Sequence, residues 1–455
     1  ILAKVYATHT GLKSIADFAG KIQARAIDDE ALQRMVRTAH SKKEEALYKY
    51  LLRVFDFDAL PTEALHLLKQ IAVLPAEPIH IELILAVTAK EVERYRPILE
   101  DLAKKGWVSL RNNDAVQMHR LIQMLMLKML QPTYQDCATL HDTIGKLLSS
   151  DEAKAKPLQT QWLIKYGISL TQYINYQNQL IEKAYLQNQI GFLYEINGDY
   201  TQALSLFEQS IQIREKILGN EDPEYSQSLH NIGFIYYKQG NYIKSLHLLR
   251  KALKIRKKML GEISAEYATT LNVLSSICGK LNSYKKAIYF CEKSLQIREK
   301  IFGKKHNIYS TSLNNLSNLY QNIKKYDKAL YLLEQSLQIL EKNIGKQHYY
   351  YANSLNNLAN LYQNIGKYEK ALSLFEESVQ IAEQVIGRKH HSFAIFLSNL
   401  GKLHILMKNI SKGIPLVLEA YQILINTIGE KHPDTQTLKK QIDIIEQDKQ
   451  DNKNK

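Results

Sequence analysis

Apolar positions recur along this chain on two scales. In the window Leu313–Gly345, Leu313, Leu316 and Tyr320 fall at i, i+3 and i+7, one face of a helix. Lys324-Lys325 interrupts that run. Tyr326 then opens a second helix carrying Ala329, Leu330, Leu333, Leu337 and Ile344, which Gly345 stops. The longer scale is a step of 42 residues, kept by Gly219, Gly261, Gly303, Gly345, Gly387 and Gly429. Tyr200, Tyr242, Tyr284, Tyr326 and Tyr368 hold the same phase, as do Leu229, Leu271, Leu313, Leu355 and Leu397. A small residue follows each tyrosine by three: Ala203, Ser245, Ala287, Ala329, Ala371. Two helices joined by a short turn cannot bury their apolar faces alone. A fixed period of this length therefore predicts stacked helical pairs sharing one core, each buried Leu or Ile contributing roughly 1.5–3 kcal/mol.

The strings Leu355-Asn356-Asn357-Leu358-Ala359-Asn360-Leu361-Tyr362, Gly366-Lys367-Tyr368-Glu369-Lys370-Ala371 and Ile386-Gly387 resemble the tetratricopeptide repeat, in the longer form of kinesin light chains. In-phase His306, His348, His390 and His432 belong to the same form. The resemblance covers residues 181–432 as six repeats and implies a right-handed superhelix. The last unit departs from it, with Ile410 for the tyrosine and Gly413 for the alanine, as a capping unit does. Leu438, Ile442 and Ile445 mark an amphipathic lid over 433–447, and 448–455 reads as a disordered polar tail.

Upstream the period is absent. Residues 1–55 look helical, with further helices over Ala64–Leu74, Ile79–Val87 and Glu91–Lys105. Trp107–Leu110 and Ala115–Met118 alternate around Asn112-Asn113-Asp114, a short hairpin. Helices followed by a hairpin over 56–130 predict a winged helix. Leu74-Pro75, Ile98-Leu99-Glu100-Asp101-Leu102-Ala103-Lys104-Lys105-Gly106-Trp107 and Met118-His119-Arg120-Leu121-Ile122-Gln123 resemble the winged-helix part of NB-ARC-type signalling ATPases, and 1–55 resembles the helical domain before it. That resemblance implies that His119 senses a bound nucleotide, with Arg120 standing where the family has Asp. Residues 131–180 read as a helical adaptor in which Trp162, Leu163 and Tyr166 share one face. The expected class is thus mainly all-α: a helical and winged-helix region, then the repeat superhelix.

Composition changes this picture little. The chain has 455 residues, 45% hydrophobic and 23% charged. Cys137, Cys278 and Cys291 form no zinc or disulfide spacing, which fits a reducing, cytoplasmic setting. No apolar run reaches membrane-spanning length. The start at Ile1, within what reads as a running helix, suggests a fragment lacking its upstream part. The net charge of +14 raises a nucleic-acid alternative through the winged helix, with Lys104, Lys105 and Arg111 in contact. Lysines interleaved with glutamates, as in Glu299-Lys300 and Glu341-Lys342, instead describe solvated faces.

Catalytic chemistry is not visible. Gly145-Lys146 lacks the P-loop's earlier glycine, since Leu140 stands there, and its Ser/Thr, replaced by Leu147. No cofactor is expected in this chain; ATP or ADP belongs to an upstream domain. The histidines stand one per repeat, too far apart to share a metal, and suit caps or turns. What stands out is asparagine. Asn315, Asn318 and Asn322 lie at i, i+3, i+7 opposite the core face, as do Asn357, Asn360 and Asn364. Asn231, Asn315, Asn357 and Asn399 keep the 42-residue step, broken at Val273. Asparagine is a poor helix former, while its amide both donates and accepts, which suits an extended peptide backbone. The expected function is non-enzymatic: a protein or peptide ligand held in a concave groove, as the sensor half of a signalling ATPase. A free-standing scaffold like a kinesin light chain is the alternative.

Overall fold

The computed structural model describes residues 57, 59–88, 92–111, 115–150 and 161–453, so the helical segment expected over 1–55 lies outside the described residues. The chain divides into two compact units, one reaching Leu148 and resuming over Trp162–Leu186, the other beginning at Gln187.

The first unit contains α1 (Thr62–Ala72), β1 (Ile79–His80), α2 (Ile81–Val87), α3 (Val92–Lys104), β2 (Ser109–Arg111), β3 (Ala115–Gln117), α4 (Arg120–Leu130), α5 (Tyr134–Ser149) and α6 (Gln161–Tyr173). The expected hairpin is present, with Leu110 opposite Val116. A third strand joins it: Ile79 and His80, which the sequence placed in a helix, pair with Val116 and Ala115 in the order β1-β3-β2. Gln123 fixes α4 to the end of α1 by donating to the carbonyls of Ala72 and Leu74 at 2.8 and 2.7 Å. On α6, Leu163 and Tyr166 are buried, and Trp162 meets the Tyr166 ring edge-on at 5.1 Å.

The second unit is built from helical pairs. It takes in the end of α7 (Leu180–Ile196), then α8 (Tyr200–Leu218), α9 (Pro223–Lys238), α10 (Tyr242–Leu260), α11 (Ala265–Lys280) and α12 (Tyr284–Phe302). They continue as α13 (Asn307–Asn322), α14 (Tyr326–Ile344), α15 (Tyr349–Asn364), α16 (Tyr368–Ile386), α17 (His391–Leu406), α18 (Ile410–Ile428) and α19 (Pro433–Lys453). Helix α19 runs past Asp448, where a tail was expected, because neither Gly nor Pro stops it. The alanines at the step position are fully buried, and Ser245 donates to the Gly233 carbonyl at 2.6 Å, so the helices of a pair do approach closely.

Each long second helix ends at an in-phase glycine. Their φ values lie between 75° and 88°, with ψ of 160–176°. This is a region open to glycine alone, rather than the left-handed helical one. Within each pair the turn also needs positive φ, and there the chain uses Gly198, Gly240, Asn282, Lys324, Gly366 and Lys408.

Candidate functional site

The first helices of successive pairs pack on one another, α9 on α11, α11 on α13, α13 on α15 and α15 on α17. They form a continuous wall, and the asparagine stripe lies on it. Leu313, Leu316, Leu355 and Leu358 are buried, while Asn315, Asn318, Asn357 and Asn360 are half-buried and Asn322 and Asn364 exposed. The side chains of Asn315, Asn322 and Asn357 make no hydrogen bond within the described residues. Neighbouring amides are partly engaged: Gln321 donates to Asn318 at 3.5 Å, Asn360 donates to the Asn356 carbonyl at 3.0 Å, and Asn364 donates to Gln321 at 3.5 Å.

Two members of the ladder are committed to the solenoid itself. Asn231 is buried, donating to Asn188 Oδ1 at 2.8 Å and accepting from Gln227 at 2.8 Å. Asn399 donates to Asn356 Oδ1 at 3.1 Å. Both link one first helix to the previous one, since the position 43 residues earlier is the near neighbour. The open part of the stripe is therefore Asn315, Asn322 and Asn357, with the partly engaged Asn318, Asn360 and Asn364 beside them on α13 and α15.

The histidines cap the first helices. In His306, His348, His390 and His432, Nδ1 accepts the backbone N–H two residues on, at 3.0–3.2 Å. An accepting Nδ1 requires the neutral ring with its proton on Nε2.

Sequence reasoning missed a set of buried arginines. Arg214, Arg256 and Arg298 each donate from one guanidinium nitrogen to a carbonyl ten residues on and a hydroxyl fourteen on: Glu224 and Ser228, Glu266 and Thr270, Ile308 and Ser312, at 2.6–3.1 Å. They stitch a second helix to the start of the next first helix. Burial lowers Arg256 and Arg298 to about 10. The later repeats carry buried Leu340, Ala382 and Leu424 instead. The signal was available in the in-phase Ile-Arg pairs at 213–214, 255–256 and 297–298.

Charged groups gather where the wall's ends meet. Burial pushes the half-buried Glu195 carboxyl up to about 7, with Lys238 pulling the other way. Burial also lowers Lys402, against the pull of Asp434, whose carboxylate stands 3.9 Å from Lys280. Cys137, Cys278 and Cys291 are buried thiols, and burial raises all three. Among the described residues no three His, Cys, Asp or Glu side chains group to hold a metal, and no helix is long and apolar enough to cross a membrane. In the first unit, His119 is half-buried directly before α4.

The tetratricopeptide repeat family model matches residues 182–258, 266–342, 319–384 and 350–424, more than half of the chain. None of the curated proteins matches the sequence significantly. Among solved structures, the Rap protein complexed with competence and sporulation factor is similar in fold at 12% identity and TM-score 0.50, over 72% of this chain and 92% of that one. Nearly identical TPR-like repeats of a putative kinesin light chain from Podosopora anserina match at 25% identity, 44% and 93% coverage and TM-score 0.36. A Pyrococcus horikoshii STAND protein with a tetratricopeptide repeat sensor matches at 17% identity, 86% and 59% coverage and TM-score 0.47.

Proposed function

The chain belongs to the tetratricopeptide-repeat family, a scaffold for protein–protein interaction, and we propose that its inner wall binds an extended peptide segment of a protein partner. The observation that carries this reading is the pair Asn315 and Asn357: 42 residues apart, half-buried on adjoining first helices, with no side-chain bond of their own among the described residues. Each amide can donate to one peptide carbonyl and accept from one N–H. Asn318, Asn322, Asn360 and Asn364 extend the same surface. A net contribution of about 1 kcal/mol per bond makes a lone peptide a micromolar ligand at best, once ordering costs are subtracted. No step of bond chemistry is assigned to these residues.

The array would act as the sensor half of a signalling ATPase, with ligand occupancy relayed through the first unit. Three helices with a three-stranded antiparallel sheet in the order β1-β3-β2 support reading 56–130 as a winged helix. His119, at the start of α4, would then contact nucleotide held by a domain in cis. ATP or ADP enters this reading only through that domain, and a P-loop encoded upstream in the gene is what it requires. The wall itself is tested by selecting peptides from a displayed library on the full chain and mapping hydrogen exchange with the best binder. Protection confined to α13 and α15 supports the groove; protection confined to the second helices refutes it.

A further inference from the structure

The solenoid touches itself one turn later. His390 Nε2–H donates to the carbonyl of Ile196 at 2.6 Å, 194 residues earlier in the chain. His432 Nε2–H repeats the contact one unit on, donating to the carbonyl of Lys238, again 194 residues back. Around them, the Tyr200 hydroxyl meets His391 Nε2 at 2.9 Å, Ile428 packs against the Tyr200–Phe207 cluster, and a Cβ on Gly240 would run into the Pro433 ring. These contacts join the C-terminal ends of α7 and α9 to the N-terminal ends of α17 and α19, so the wall of first helices closes on itself.

We propose that this seam is a proton-operated latch, in which the neutral rings of His390 and His432 hold the solenoid shut and protonation at His390 opens it. The proposal rests on the groove reading only for its consequence, which is that the latch controls entry to the groove. Both ring nitrogens of each residue are in use. Nδ1 accepts from the backbone N–H of Ser392 or Asp434, while Nε2 donates across the seam. A second proton must sit on Nδ1, where it faces another donor. The ring then has to turn, and it loses the cap and the seam bond together. His306 makes the same cap, and among the described residues it has no bond across the seam.

Around His390 and His391 the surroundings oppose a charged ring. Lys238 on α9 faces His390 and His391, and His391 also faces His390 and His432. The Tyr200 hydroxyl faces His391, Asp434 lies 3.8 Å from His432 Nδ1, and Glu195, beside the acceptor Ile196, faces Lys238. Burial brings His390 down to about 4 against its bond to Ile196, and holds His391 well below the ordinary range. Opening restores the ordinary proton affinity of His390 near pH 6.5, so acid draws the equilibrium toward the open form.

The test is an interspin distance across the seam. Thr201→Cys and Lys389→Cys place nitroxides on exposed positions either side of it in the full chain, where the native cysteines are buried. The expected result is one short distance at about pH 7.5, joined reversibly at about pH 5 by a longer population with helix content retained. His390→Asn with His432→Asn keeps good helix caps but is too short to reach across. That variant should show the longer population at neutral pH, with no further response to acid. The same change at His306 should behave like the parent. An unchanged distance in the parent at low pH, or a seam as closed in the His390/His432 variant as in the parent, overturns the latch. No ligand is present, so a failed latch leaves the groove reading standing, and a failed groove leaves the latch standing.

Discussion

Asn399 donates from Nδ2 to Asn356 Oδ1 across 3.1 Å, a bond between neighbouring first helices at 43 residues' separation. The same rung joins Asn231 to Asn188. One residue type at one repeat position therefore does two different things: at the ends of the ladder it holds the rod together, and in its middle it is left open.

This division predicts a split in mutant behaviour. Asn231→Ala leaves Asn188 and Gln227 without their partner in a buried place and should lower stability by about 1–3 kcal/mol. Asn315→Ala and Asn357→Ala remove no bond within the fold. Their thermal midpoint should match the parent, or rise slightly, because Ala favours helix more than Asn does. Differential scanning calorimetry of the three variants checks both statements.

The turn between paired helices offers a stabilising change. Lys324 and Lys408 sit at φ 59° and 64°, where their counterparts Gly198, Gly240 and Gly366 sit at 76–83°. A side chain in this region is strained by roughly 1 kcal/mol. Lys324→Gly and Lys408→Gly should each raise the urea midpoint by the equivalent of about 0.5–1 kcal/mol, glycine's extra freedom in the unfolded chain offsetting part of the gain. A lower midpoint for both would contradict the geometry.

Arg256 should be hard to replace. It bonds the Glu266 carbonyl, Thr270, Ser226 and Gln227 from a side chain that is almost wholly buried. Arg256→Leu puts here the residue that Leu340 supplies two repeats later, yet it strands those acceptors. A loss of about 1–3 kcal/mol is expected in chemical denaturation. Exposed Lys257→Leu should cost far less, its link to Glu262 being a surface pair.

Acid should destabilise the second unit. Burial takes His390 from its ordinary 6.5 to about 4 in the folded state. The unfolded chain then binds more protons between those values, so this stability is present in full above pH 6.5 and is lost as pH falls toward 4. The linkage is worth on the order of 3 kcal/mol for this one group. His390→Asn should flatten that part of the stability-against-pH curve.

The repeat architecture was legible because every helical pair repeats one pattern: the glycines at 42-residue spacing need φ that only glycine tolerates, and the tyrosines open the second helices. The seam was not legible. Its offset of 194 is no multiple of 42, so it follows from the pitch of the stack and leaves no mark in any local window. The rungs escaped for a related reason: Asn188 and Asn356 lie one position off the phase of the stripe. β1 escaped because two residues are too few to show alternation.

The account depends most on Asn315 and Asn357 gripping a ligand's backbone. The direct measurement is the Kd of a library-selected peptide for the full chain and for the Asn315→Ala/Asn357→Ala double variant, side by side. Loss of two bonds at about 1 kcal/mol each predicts binding weakened roughly thirtyfold with the thermal midpoint unchanged. Equal affinity for the two proteins would contradict the account.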